Sequence, residues 1–424
     1  MNLLLPLLRF GSPRRLRRTF RWLLGIAREI RRRRAEPRLT VAVDVNSFYE
    51  ALTGVGWYLH RILAHLAGRD DLRLRLYGQS LTDRDPEAEP GAPQLAVEVP
   101  AGPAIERVVY AAPDGLVVPP WRAAQLLRLL SPLLAAADGN RVLFAPNYLF
   151  PPLFRFARGA RVATVHDLGL FEVPWAVRPD SGEALREELE RTLFAADLLL
   201  TPSEAVRGEL IERGVSPGRV RAIHHGPGTL TRQEIGEVPA GTPPRYVLHV
   251  GTIEPRKNVG ALLAAWRILL ARRTPPPPPL VLCGGWGWGA ETMRGEIAAA
   301  EQEGWAVHLG YVGPAALAAL YAKAELVVFP SFYEGFGLPA LEAMRAGAPL
   351  VASDLQVLRE VAADAALFAP PDRPDLWAER IAEILASPGL RAEQVAKGRE
   401  RAAQFDWDRA AGGTARAFRE IHNP

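Results

Sequence analysis

Two glutamates stand eight positions apart, with two glycines and a proline between them, in the stretch EGFGLPALE from Glu334 to Glu342. What residues of these types at this spacing could do depends on the elements that hold them. The run before them, AELVVFPS, is short, apolar and rich in Val and Phe, and reads as a buried strand. The run after them, LPALEAMRAG, consists of good helix formers, with Pro339 suited to a first turn and Gly347 to a helix end. The pattern is therefore strand, glycine-rich turn, helix. Glu334 falls in the turn, and Glu342 lies about one turn into the helix. A helix N-terminus presents unpaired N–H groups and a partial positive charge that favour anions. Glycines at 335 and 337 would let a ligand approach the backbone. The same turn reads equally as a glycine-rich connection whose glutamate steadies its own helix, because it lacks the P-loop pattern.

A second stretch, YVLHVGTIEPRKNVGALLAAWRILLARR, places two cations at a comparable point. The strand ends near Thr252. Asn258 is a good N-cap, and Leu262, Leu263, Trp266, Leu269 and Leu270 mark the apolar face of the helix that follows. Arg256 and Lys257 then sit just before a helix N-terminus at the C-terminal edge of a sheet, where ligands of open α/β sheets bind. Two cations beside helix-end N–H groups suit a diphosphate. Alone, an Arg-Lys pair in a loop is as readily a solvated surface feature.

The elements that must position these groups alternate along the chain. Strand candidates in the first half are RLTVAVDV, LRLRLYG, QLAVEV, RVLFAP, RVATVHDL, ADLLLTPS and RVRAIHH; in the second half they are RYVLHVGTI, PLVLCGG, WAVHLGYV, AELVVFPS, APLVASD and AALFAP. Near-continuous apolar strands separated by helical stretches indicate parallel α/β sheets covered on both faces. Two such series predict two Rossmann-like domains. Their boundary falls in the Gly-, Pro- and Thr-rich residues 226–245, giving domains at 38–235 and 236–405. The 424 residues and 48% hydrophobic content suit two or three domains with sizeable cores. The single cysteine, Cys283, excludes an intrachain disulfide and suits a reducing compartment. No apolar run is long enough to cross a membrane.

Charge is concentrated at one end. Residues 1–38 carry twelve arginines against Glu29 and Glu36, a net of +10 in a chain whose total is +4, so the remainder is −6. A nucleic-acid enzyme would more often carry its basic patch on a folded domain. Within the arm, residues 1–37, the residues Leu16, Phe20, Leu23, Ala27 and Ile30 recur at helical spacing with arginines around them. Because the charges follow the first apolar residues and no small-residue cleavage site is evident, the arm does not read as a signal peptide. A basic amphipathic helix bearing Trp and Phe reads as a membrane-surface anchor. A solvated or partner-binding tail and a transit peptide are the other readings.

Taken together, the two loops resemble those of the retaining GT-B glycosyltransferases of family 4. In that family the E-x7-E motif matches Glu334 and Glu342, and G-T-x-E-P-R-K-N is a common phosphate loop. The resemblance covers roughly residues 39–420. It implies two Rossmann-like domains facing across a cleft, and a last segment, 406–424, whose helix crosses back to the N-terminal domain. It further implies that Arg256 and Lys257 hold the donor diphosphate, that Glu342 binds the nucleotide ribose and that Glu334 contacts the donor sugar. Phe336 and the backbone at Gly337 and Leu338 would meet sugar or phosphate oxygens. Many members have an arginine where this chain has Thr252, so the phosphate charge would rest on Arg256 and Lys257. TGVGWYLHRIL is similar to the family's N-terminal glycine loop, with Gly54 and Gly56 facing the donor. VATVHDLGLFEVP is similar to its His-Asp loop, with His166 near the sugar, and Tyr311 and Val312 of GYV would lie near the base.

The activity so implied is a retaining transfer of a hexose from a nucleotide-diphosphate sugar, without a metal or other cofactor, to a glycan or lipid-linked glycan. The form GTIEPRKN resembles mannosyltransferases, which makes GDP-mannose the first expected donor and a UDP-sugar the second. Acceptor contacts are expected within 101–135, including Trp121. The place of action would be cytoplasmic, peripheral at the inner face of the cell membrane through the arm. Asp83-Arg84-Asp85 matches the D-x-D letters of metal-dependent transferases but lies in a polar, Pro-rich loop, and the eight histidines show no ligand spacing. The glycines of GGWGWG make no clear G-x-G-x-x-G pattern. A nucleotide-sugar epimerase of the same fold and a noncatalytic scaffold are the competing classes. Sugar interconversion without acceptor would mark the first, and absence of donor turnover the second.

Overall fold

The computed structural model of the chain describes residues 13–48, 54–78, 99–108, 132–154, 156–176, 179–228, 236–272 and 276–422. Two parallel sheets organise them. The first contains β1 (Leu39–Asp44), β2 (Leu72–Tyr77), β3 (Ile105–Arg107), β4 (Val142–Ala145), β5 (Ala160–Thr164), β6 (Leu198–Thr201) and β7 (Val220–Ala222), in the order β3-β2-β1-β4-β5-β6-β7. The second contains β8 (Val247–Val250), β9 (Leu280–Cys283), β10 (Ala306–Gly310), β11 (Leu326–Phe329), β12 (Leu350–Ser353) and β13 (Leu367–Ala369), in the order β10-β9-β8-β11-β12-β13. Central strands such as LVVF of β11 are buried along their whole length, as strands covered on both faces must be. The expected α/β architecture of two Rossmann-like sheets is therefore present. The strand candidate QLAVEV and the D-x-D letters at 83–85 fall wholly or mostly outside the described residues, as does Trp121. A short strand not expected from the pattern, β3, edges the first sheet.

Chain contacts divide the described residues into two compact units. One comprises those of Met1–Thr164, Leu189–Leu200 and Ala411–Pro424, and the other those of Val165–Glu188 and Thr201–Ala410. The second unit has a core on each face of its sheet. Tyr246, Leu248, Phe329 and Leu341 lie on one side; Trp266, Leu282, Val328 and Trp377 lie on the other. Cys283 is buried at the end of β9. In the first unit, Phe144 of β4 meets Phe418 of the terminal helix Trp407–His422 at a ring distance of 5.2 Å, and Arg419 pairs with Asp71.

The arm differs from an isolated amphipathic helix. Pro13–Arg34 is helical, but Trp22, Ile26 and Ile30 pack against Ala42, Tyr77, Leu143 and Phe154 of the first unit. Arg33 is buried between Glu106, at 3.3 Å, and Asp138, at 3.2 Å. Buried Arg75 donates to Glu106, to the Asn140 side chain and to the Arg33 carbonyl. The arm therefore does not lie apart from the sheet domains. Ile30 turns inward from the expected stripe, while Phe20, Leu23 and Leu24 stay exposed. The reason is geometric: residues spaced by four drift around a helix of 3.6 residues per turn, so a docking face and an exposed apolar face coexist side by side. The side chain of Leu16 lies outside the described residues. Among the described residues, no helix is long and apolar enough to cross a membrane.

Candidate functional site

In the second sheet the strand order reverses between β8 and β11: β9 and β10 lie beyond β8, and β12 and β13 beyond β11. The crevice at the C-terminal ends of the two strands flanking such a reversal is where open α/β sheets bind ligands. The loops leaving those two strands carry the two sequence constellations.

The loop after β8 forms a single 3-10 turn, Pro255–Lys257, and then passes Asn258 into the helix Val259–Ala271. Asn258 stands at the N-cap position in the left-handed conformation (φ 54°), and its side chain makes no capping bond. Instead its amide donates to the carbonyls of Pro330, at 3.0 Å, and Pro371, at 2.8 Å. The residue expected to cap its own helix thus ties the cation loop to the loop after β11. Asparagine suits the position because it tolerates this backbone conformation better than most residues.

The loop after β11 leads through Glu334 to Gly337, whose φ is 91°, and into the helix Leu338–Ala346. Glycine at 337 is required by that angle, and a Cβ there would also come within 2.6 Å of Leu358. Gly335 has a different reason. An added Cβ would overlap the carbonyl oxygen of His166, so the backbone of the His-Asp segment packs directly on this turn. Space read from sequence as room for a ligand is occupied at this point by protein. Ser203 donates to the Gly335 carbonyl at 2.8 Å. The Tyr333 hydroxyl accepts from the Leu168 N–H at 2.9 Å and donates to Glu209 at 2.7 Å.

The charged groups meet in this turn. Lys257 Nζ lies 2.5 Å from Glu334 Oε1, and Arg256 Nη1 lies 3.3 Å from Oε2. Arg256 also donates to the Tyr333 carbonyl and to Glu254. All three charged side chains are largely removed from solvent. Burial pushes Lys257 down, and the Glu334 carboxylate opposes that push only in part. Burial would raise Glu334, but Lys257 and Arg256 outweigh it and hold the carboxyl below its ordinary value. Burial would lower Arg256, but Glu334 and Glu254 reverse it. Glu342 lies one turn inside the helix, buried, with Gly228 packed so closely that a Cβ there would overlap its carboxylate.

The other candidate residues are placed as follows. His166 is half-buried, its ring 5.5 Å from that of His225. Phe336 is buried in an aromatic group with His225 and Phe405, with ring centroids at 5.3 and 5.8 Å. Leu338 and Val312 pack partly against the core. Tyr311, just after β10, is 84% exposed. Gly54 and Gly56 belong to the other unit, at the start of the helix Gly54–Leu66. Within the second unit the structure thus gathers Arg256, Lys257, Glu334, Gly337 and His166. The sequence does not announce Asn258 as a bridge, the Tyr333–Glu209 clamp or His249. The signal for His249 was a lone imidazole inside the apolar run YVLHV. Among the described residues, no group of three or more His, Cys, Asp and Glu could hold a metal ion.

Comparison with known proteins gives matches over most of the chain. Residues 231–401 match the family model "Glycosyl transferases group 1", and residues 52–227 match "Glycosyltransferase Family 4". The O-antigen chain mannosyltransferase B of Escherichia coli is 32% identical over 389 residues, covering 87% of this chain and 96% of that protein. Among solved structures, sucrose-phosphate synthase from Thermosynechococcus elongatus aligns with a TM-score of 0.64 at 23% identity, over 91% of this chain and 99% of that one. Anabaena HepE in complex with UDP-glucose aligns at 0.61 and 18% identity, over 90% and 99%.

Proposed function

Because the chain belongs to the glycosyltransferases of family 4 and carries the GT-B fold, we propose that it moves mannose from GDP-mannose to a glycan or lipid-linked glycan, with retention at the anomeric carbon and without a metal. The observation that carries this reading is the convergence of Arg256 and Lys257 on Glu334 at the reversal point of the second sheet, with Glu342 one turn into the adjoining helix. Mannose is favoured by the mannosyltransferase relative, which spans nearly the whole chain. A UDP-sugar is the second reading, supported by the UDP-glucose complex of HepE.

As the glycosidic bond breaks, negative charge grows on the departing diphosphate. Arg256, Lys257 and the N-terminus of the helix Leu338–Ala346 would meet that charge. Glu334 would then serve the donor sugar and Glu342 the ribose. The acceptor hydroxyl would attack from the face that the leaving group vacates. The arm would bring the enzyme to an anionic membrane surface, using the exposed Phe20, Leu23 and Leu24 with the neighbouring arginines.

A panel of nucleotide sugars, scored by nucleotide release with and without EDTA, tests the proposal. GDP-mannose should be consumed fastest, with chelation leaving the rate unchanged. Faster turnover of a UDP-sugar would replace the donor, and a rate abolished by EDTA and restored by Mg²⁺ or Mn²⁺ would replace the mechanism. Absence of release from every donor by folded protein would leave the scaffold reading.

A further inference from the structure

His249 lies in β8, fully buried, directly behind the charged turn. Its Nδ1 is 3.2 Å from the carbonyl oxygen of Val328 in β11. A carbonyl can only accept, so Nδ1 carries the ring proton and Nε2 keeps a lone pair. Nε2 is buried and has no hydrogen-bond partner. Burial pushes the imidazole down to about 4, so the ring is neutral at physiological pH. Buried acceptors are nearly always paired, so an unpaired one calls for a physical explanation.

The geometry around Gly251 indicates a partner. A Cβ built on Gly251 would lie 3.4 Å from His249 Nε2 and 3.6 Å from Cδ of Lys257. Ring and lysine stem therefore border the same small gap, which only the missing side chain keeps open. Here the Lys257 ammonium is turned to Glu334. A diphosphate carries more charge than one carboxylate and would compete for both cations, and Glu334 is needed elsewhere if it serves the sugar.

We propose that His249 is a positioning residue for Lys257: when the donor diphosphate displaces Glu334, Nε2 accepts one ammonium N–H and directs the others at the phosphate. The inference rests on the donor-site reading above. Four groups then face the ammonium: Glu334, Arg256, Glu254 and His249. A neutral acceptor favours the charged form of Lys257, so its loss would move the alkaline limit of nucleotide binding to lower pH.

The test is calorimetric titration of the full-length chain with GDP and with UDP from about pH 7 to 10. The variants are His249→Asn, His249→Gln, Gly251→Ala and Lys257→Ala. The Asn amide can still donate to the Val328 carbonyl but does not reach the place of Nε2; the longer Gln does. A methyl at 251 makes ordinary contacts and closes the gap. His249→Asn and Gly251→Ala should each lose about tenfold in nucleotide affinity, the worth of one bond to a charged group. Their alkaline limit should fall, while His249→Gln recovers most of the affinity. Wild-type affinity and alkaline limit in His249→Asn, with Lys257→Ala weakened, would overturn the proposal and spare the donor site. Equal losses in Asn and Gln, together with a lowered melting temperature, would make His249 a packing residue and overturn it too. A folded wild-type chain that binds neither nucleotide would remove the donor-site reading and this inference with it.

Discussion

At the scale of the residue, Glu334 holds the position that an incoming phosphate would contest. Its carboxylate pairs with both cations of the neighbouring loop. Exchange of one anion for another lets the buried cations stay paired throughout, which matters because an uncompensated buried charge is costly. Glu334→Gln should therefore raise affinity for the nucleoside diphosphate, by roughly tenfold, while lowering sugar transfer. Titration calorimetry paired with a transfer assay reads both, and a fall in affinity would show that Glu334 does not compete. Lys257→Ala should lower kcat by about 10²–10³, the loss expected for one donor aimed at a developing charge. Near-normal turnover by a folded variant would reject that role.

At the scale of the element, the sequence was most legible where a single segment contains its own logic. LVVF followed by a glycine turn and LPALE reads as strand, turn and helix because burial, φ preference and helix propensity all agree within a few residues. What bridges segments was not legible. Asn258 reads as a cap in its own segment, yet it serves loops 72 and 113 residues away, and no local pattern announces such a bond. Asn258→Ala and Asn258→Gly should both lose those bonds, but only Ala should add the strain of a left-handed backbone. Ala should accordingly be less stable than Gly by about 1–2 kcal/mol in urea unfolding; equal losses would place the whole effect in the side-chain bonds. Glu209 supplies a pH test of the Tyr333 clamp. Burial raises its carboxyl to about 7; the Tyr333 bond opposes the rise, and Glu172 and Asp167 add to it. A folded value above the ordinary 4.5 favours the protonated form. That contribution to stability is complete below about 4.5 and is lost as pH rises towards 7. Melting curves across this window should fall with rising pH in the wild type and flatten in Glu209→Gln.

At the scale of the whole molecule, the arm is the part whose charge was plain in the sequence and whose placement was not. Arginine counts cannot show that Arg33 is buried against Glu106 and Asp138 while Phe20 is exposed, since both belong to one helix. Removing the arm would take Arg33 away from two buried acids, leaving Glu106 to Arg73 and Arg75 and Asp138 to Tyr77, and would also uncover the face on which the arm packs, so point changes are the cleaner probe. Arg33→Ala should cost about 3–5 kcal/mol in unfolding experiments, as expected for breaking a buried pair. Glutamates at 20, 23 and 24 should leave stability within about 0.5 kcal/mol, because these side chains are exposed. They should abolish salt-sensitive sedimentation with anionic vesicles. Unchanged sedimentation would move any membrane contact elsewhere. The single cysteine has a practical consequence. Cys283 is buried, and burial pushes its thiol up to about 11, so almost no nucleophilic thiolate exists at neutral pH. The wild-type chain should be silent towards maleimides. A cysteine introduced at exposed Tyr311 would then be the one site that takes a fluorophore or spin label, giving an optical or magnetic signal of nucleotide binding with no background to subtract.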